Sequence, residues 1–124
     1  MSGSFPKDVG FGRISTCECW NSAASYRQFH PALFVGVDET EGRYADVTLR
    51  ECKQCDSLWL QYQVEYEGFS RSGRWARRQI SHAEADQITP ETALQHIEAD
   101  QYACGVLYFD GEPGWRSGPM RWDI

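Results

Sequence analysis

The sequence is short of several things, and each shortage narrows what the protein can be. No stretch approaches the roughly 18 to 20 consecutive apolar residues that a membrane-spanning helix requires, so no membrane role is expected. The first seven residues, MSGSFPK, carry no apolar core of a secretory signal. A cytoplasmic location is the corresponding expectation, and in a reducing compartment paired cysteines favour metal over disulfide. Five cysteines, an odd number, also fit a closed disulfide framework poorly. Histidine is scarce: His30, His82 and His96 are the three, with no two at metal-ligand spacing. No nucleophile carries a G-x-S-x-G signature, and Gly10-Phe-Gly12 lacks the preceding strand and third glycine of a phosphate loop. An enzyme is therefore not the favoured reading. Internal repeats and low-complexity segments are absent.

Basic residues are missing from one long stretch. Residues 82–115 contain no Lys or Arg but carry Glu84, Asp86, Glu91, Glu98, Asp100, Asp110 and Glu112. Just before it, Arg71, Arg74, Arg77 and Arg78 cluster around Trp75. The net charge of −6 makes the whole chain an unpromising nucleic-acid binder, yet its charge is divided between a basic hairpin and an acidic second half.

What is present suits a single domain of 124 residues with a modest core: 41% hydrophobic and 14% aromatic, which argues against disorder. Residues 1–15 read as a loosely ordered lead-in. Residues 33–37 (LFVGV) read as a short strand, and residues 43–50 as a second. In residues 58–67 the alternation is strict. Leu58, Leu60, Tyr62, Val64 and Tyr66 fall on one face, and Trp59, Gln61, Gln63, Glu65 and Glu67 on the other, the pattern of a half-buried strand. A returning strand over 74–80 places its arginines near Glu65 and Glu67, with the register open by one residue.

From Ser81 the pattern changes. Ser81 and Glu84 form a capping-box pair that starts a short helix. Thr89-Pro90-Glu91 signals a second helix running to about Asp100, with Ala93, Leu94 and Ile97 as its buried stripe. Residues 102–109 (YACGVLYF) have strand length, with Cys104 as a core thiol. The Gly- and Pro-rich tail, 110–124, reads as an ordered loop pinned by Trp115 and Trp122. The expected fold is α+β: a small antiparallel sheet with a pair of cysteine knuckles, at Cys17 and Cys19 and at Cys52 and Cys55, strand-rich over 17–80, and two short helices in the C-terminal third.

The sharpest motif is a Cys-x-x-Cys at Cys52 and Cys55 directly before the alternating strand. Such spacing puts both sulfurs on one side of a tight turn, within reach of one metal ion. Cys17 and Cys19 form a second close pair. A redox Cys-x-x-Cys normally opens a helix, whose N-terminus lowers the thiol pKa; here a strand follows. Structural Zn2+, redox chemistry and ordinary turn cysteines all remain open at this point, with zinc favoured. His30 is an alternative fourth ligand in place of Cys17.

The two close pairs, each beside a strand, resemble the knuckles of a zinc ribbon over residues 17–80, leaving the C-terminal third unmatched. The resemblance implies Cys17, Cys19, Cys52 and Cys55 as ligands of one tetrahedral zinc. This chain departs from the family pattern in three ways. One residue, not two, separates the first pair; Asp56 stands where glycine commonly follows the second; and the spacer between the pairs is long.

Beyond the metal, two binding surfaces suggest themselves. The acidic residues Glu84, Asp86, Glu91, Glu98 and Asp100 suit a basic protein partner, as an immunity or antitoxin protein would engage. Alternatively Arg71, Arg74, Trp75, Arg77 and Arg78, extended by Arg50 and Lys53, would suit single-stranded nucleic acid, which favours cations interleaved with an aromatic ring.

Overall fold

The computed structural model describes residues 17–24, 26–31, 33–64, 73–106 and 114–119. Among these residues six antiparallel strands follow one another across a single sheet in chain order: β1 (Leu33–Asp38), β2 (Ala45–Glu51), β3 (Leu58–Val64), β4 (Arg74–Ile80), β5 (Tyr102–Val106) and β6 (Gly114–Arg116). Two short helices, α1 (His82–Ala85) and α2 (Ala93–Glu98), lie between β4 and β5.

The α+β expectation does not hold. Among the described residues strand accounts for 43% against 21% helix, 3-10 turns included, so this is a sheet protein with two short α-helical insertions. The reason is local. Ser81 caps α1 as its sequence implies, its hydroxyl accepting from the Glu84 N–H at 3.0 Å, but the helix stops after four residues. At the second start signal Thr89 and Thr92 bond each other instead. The Thr89 N–H donates to Thr92 Oγ1 (3.0 Å) and the Thr92 N–H to Thr89 Oγ1 (3.2 Å). This reciprocal pair closes a turn over 89–92, so α2 begins at Ala93, not after Thr89, and ends at Glu98, short of Asp100. Side-chain hydroxyls that satisfy the backbone locally compete with helix in this way. The tail is also more regular than expected, since residues 114–116 add β6 to the sheet beside β5.

Register decides which residues share a face. Gln63 pairs with Trp75 and Tyr62 with Ala76, which puts Trp75 on the face of Trp59, Gln61 and Gln63. The opposite face carries the main core. There Val47, Leu60, Tyr62, Val64, Ala76 and Tyr102 are buried, with Ile88, Ala93 and Ile97 laid over them and half-buried Leu94 packed against them. The stripe read from α2 is thus the surface it buries. Gly36 has a φ of +153°, and a Cβ there would stand 2.7 Å from Pro90 Cγ, so its glycine lets the 89–92 turn seat on β1. Cys104 lies buried at the edge of this core.

The core face also holds a satisfied polar network. Asp38, fully buried, accepts from Tyr62 Oη and from the Thr40 N–H (3.0 Å), and pairs with Arg43 at 3.4 Å. Arg43 Nε in turn donates to Tyr62 Oη at 2.9 Å. Burial raises the Asp38 carboxyl, but the Thr40 and Tyr62 hydrogen bonds and the Arg43 charge outweigh it and hold it below the usual aspartate range.

A second, smaller cluster lies on the other face. Cys19, Phe29, Cys52 and Trp59 are buried there with Trp20 and Trp115 packed against them. The alternation in β3 had assigned Trp59 to the polar face. It is on that face, but fully buried, with Trp20 and Phe29 of the 17–31 segment and Trp115 of β6 packed against it.

Candidate metal centre

The thiol site is built by two turns. Cys17 precedes the 3-10 turn Glu18–Trp20, whose Trp20 N–H donates to the Cys17 carbonyl at 3.1 Å. The second turn joins β2 to β3. Cys52 N–H donates to the Ser57 carbonyl (2.9 Å), and Asp56 N–H to the Cys52 carbonyl (3.0 Å). Asp56 takes φ +64°, the left-handed conformation that suits glycine best and that Asp tolerates better than most residues. The departure from the ribbon pattern at this position therefore preserves the turn. Phe29 pairs with Cys52 as an isolated bridge, His30 N–H donates to the Glu51 carbonyl and Lys53 N–H to that of Gln28, which lays the first segment along the second turn.

Folding brings the four cysteines to one point. The Sγ atoms of Cys17 and Cys52 are 3.4 Å apart, those of Cys19 and Cys55 3.6 Å, and all four ligand atoms lie within 4.8 Å of one another. These separations are far beyond a disulfide bond of about 2.05 Å, and all five cysteines are free. A tetrahedron with metal–sulfur bonds of about 2.3 Å has sulfur–sulfur edges of about 3.8 Å, so the four thiols can hold one metal ion. Cys19 and Cys52 are buried, Cys17 half-buried and Cys55 exposed.

Polar neighbours serve the sulfurs. Cys52 Sγ accepts from the Gln54 N–H (3.3 Å) and Gln28 Nε2 (3.4 Å). Ser57 Oγ lies 3.1 Å from Cys55 Sγ and 3.5 Å from Cys19 Sγ, while it accepts from Trp59 Nε1 at 2.9 Å. Since the indole occupies a lone pair, the hydroxyl proton of Ser57 is left to donate to sulfur. Such partners tune thiolates at metal sites. Burial pushes the Cys52 thiol up, but the Gln28 and backbone hydrogen bonds bring it down to about 6. Burial raises Cys19 far above the ordinary thiol range; Ser57 opposes the rise, and Cys17 and Cys55 add to it. Cys17 is also raised, first by burial. Several thiolates this close repel unless a cation sits among them.

The arginines named from the sequence are dispersed. Arg71 lies outside the described residues, as do Glu65, Glu67 and Trp122. Arg74, half-buried, donates to the Gly73 carbonyl at 3.3 Å. Arg77 is buried on the Trp59 face. Arg78 is on the opposite face, donating to Glu84 Oε2 (2.6 Å) and to the His96 carbonyl (2.7 Å). Among the acidic residues, Glu84 is half-buried between Arg78 and His96 Nδ1 (2.8 Å). Burial raises its carboxyl, yet those two neighbours hold it below the usual range. Asp86, Glu91 and Asp100 are exposed and Glu98 is half-buried. His30 is exposed and is not among the clustered ligand atoms. Lys53 is exposed and Arg50 half-buried.

Sequence reasoning missed Gln28 and Ser57 at the sulfurs. Their one visible signal was position: polar residues immediately flanking the elements that carry the cysteines. Compared with family models, curated proteins and solved structures, the chain matches none. No helix among the described residues is long and apolar enough to cross a membrane.

Proposed function

We propose that this is a small binding domain whose four thiolates hold one structural zinc ion. The observation that carries the reading is the closed set of four sulfurs within 4.8 Å, contributed by two turns 35 residues apart in sequence. Four thiolates fill a tetrahedral zinc and leave no position for a substrate water, which makes the ion a staple and not a catalyst. It would fasten the 17–31 segment to the β2–β3 turn and so keep the Trp59 cluster closed. The free thiols suit a reducing, cytoplasmic setting.

A protein is the partner we favour. β1 is an end strand of the sheet, and Leu33 (65% exposed) and Phe34 (57%) stand on it, with Tyr44 (64%) just before β2. An end strand with exposed apolar side chains suits strand addition by another chain. The exposed Asp86, Glu91 and Asp100 favour a basic one, as an immunity-type inhibitor would meet. The nucleic-acid reading has less support, because Arg77 and Arg78 occupy opposite faces and do not form one stripe.

Cobalt substitution tests the metal reading. One Co2+ per chain with the intense bands of a tetrahedral tetrathiolate is expected, and a weak octahedral spectrum would contradict it. For the partner class, a single-stranded oligonucleotide should fail to bind even at low salt. Tight binding that weakens steeply with salt would transfer the assignment to nucleic acid.

A further inference from the structure

Beside the thiol cluster, on the same face of the sheet, an open cavity of about 250 Å³ is lined by Arg50, Gln61, Gln63, Trp75 and Arg77, with Phe29 as a wall. Its described lining holds two arginines and no carboxylate. Arg77 is 4% exposed. Its guanidinium carbon sits 5.1 Å from the Phe29 ring centre, 5.4 Å from Trp59 and 5.2 Å from Trp75. One terminal nitrogen donates to the Asn21 carbonyl at 3.3 Å. The Nε atoms of both Arg77 and Arg50 are buried without a hydrogen-bond partner among the described residues. The carboxylates that pair with arginine among the described residues, Asp38, Glu41 and Glu84, serve Arg43 and Arg78. Burial, seconded by the like charge of Arg50 and opposed by Cys19, pulls Arg77 down to about 10.

Aromatic faces offset part of the cost of burying a guanidinium, but they do not satisfy its N–H groups. Two arginine side chains lining one cavity, with no acid among its described lining residues, have the chemistry that receives an oxyanion. The remaining lining is neutral: Gln61 Nε2 donates to Gln63 Oε1 at 2.9 Å, and Trp75 and Phe29 supply flat apolar surfaces. Gly105, opposite Trp75, makes room for the indole, because a Cβ there would lie 2.8 Å from Trp75 Nε1. The volume is at the small end for ligand pockets, which run from about 300 Å³ upwards, and suits one ring with its charged group.

We propose that this cavity binds a small aromatic oxyanion, a carboxylate or phosphate borne on a flat ring, with Arg50 and Arg77 holding the anion and Trp75 and Phe29 the ring. The proposal does not depend on which metal fills the thiol site or on a protein partner. It is tested with the full chain, metal content measured alongside, by titrating phenyl phosphate, benzoate and benzyl alcohol while following heat and tryptophan fluorescence. Saturable one-site binding of phenyl phosphate or benzoate, and none of benzyl alcohol, is expected; the tighter of the two anions identifies the headgroup. Arg77→Lys keeps the charge but loses the fork, and it should weaken binding about tenfold or more. Arg50→Gln, at a half-buried site, should do the same and serves if Arg77→Lys does not fold. Gly105→Ala should weaken binding severalfold by moving Trp75 while leaving both arginines in place. Failure of both anions to bind the parent, or equal binding by parent and Arg50→Gln, would overturn the proposal. So would tight binding of a single-stranded oligonucleotide by a protein that ignores phenyl phosphate.

Discussion

The two faces of this sheet are held by different physics. The face under α2 is a conventional core. Leu60, Tyr62, Val64 and Ile97 exclude water, and its one buried carboxylate, Asp38, is matched by Tyr62, Thr40 and Arg43. The face under the 17–31 segment has a smaller apolar cluster, four crowded thiols, and a buried arginine whose Nε has no partner among the described residues. Apolar burial and one matched polar network stabilise the first. The second has four thiols that can hold one metal ion and, among the described residues, two buried arginine Nε atoms without partners. Buried polar groups left unmatched at one place, among described residues that are otherwise matched, call for a physical explanation there.

Removing the metal should break the comparison most sharply. The binding energy of a structural zinc is folding energy, so Cys55→Ser or a strong chelator should lower the melting temperature by more than any single core substitution. Hydrogen exchange should localise the damage, with residues 17–31 and 52–57 losing protection before β3, β4 and α2. Uniform loss across the sheet would show that the two faces are not separable.

The core face should respond next. Ile97→Ala empties a fully buried position in the α2 stripe and should cost about 2–5 kcal/mol, measured by denaturant unfolding. Asp38→Asn should cost about 2–3 kcal/mol, because it weakens a buried charge-assisted network. Its effect on pH dependence has a definite sign. Asp38 is held below its ordinary value of about 3.9, so its contribution is complete above that pH and disappears as pH falls through the depressed value. Parent and Asp38→Asn should therefore converge in stability in acid. A gap that stayed constant from neutral pH to acid would contradict the network.

The smallest effect is expected at Ser57→Ala, which removes a hydroxyl lying between Trp59 Nε1 and the sulfurs of Cys55 and Cys19. It should cost about 1 kcal/mol in stability and about 10- to 100-fold in metal affinity, read by competition with a chromogenic chelator. Unchanged affinity would show that Ser57 serves only the indole.

Much of the core face was legible because its signals are local. Alternation in β3 identified Leu60, Tyr62 and Val64, and the spacing of Ala93, Leu94 and Ile97 identified the stripe over them. The thiol cluster was legible because each ligand pair is close in sequence, so two turns need only meet. Three things were hidden. The weight of helix was overestimated, since a start signal such as Thr89-Pro90 says nothing about length, and Thr92 diverted it into a turn. β6 was hidden by its brevity among glycines. The cavity was hidden because its lining comes from three strands and the 17–31 segment, and because an arginine such as Arg77 reads as surface until register places it under Phe29. Trp59, the one large apolar residue on the polar face of β3, was the available hint that something covers that face.

The claim underlying the whole comparison is that a metal closes the second face. Native mass spectrometry of protein purified without chelator addresses it directly. The account predicts a mass increment of about one zinc per chain that is lost in Cys55→Ser. A folded, metal-free chain with the parent's melting temperature would contradict it.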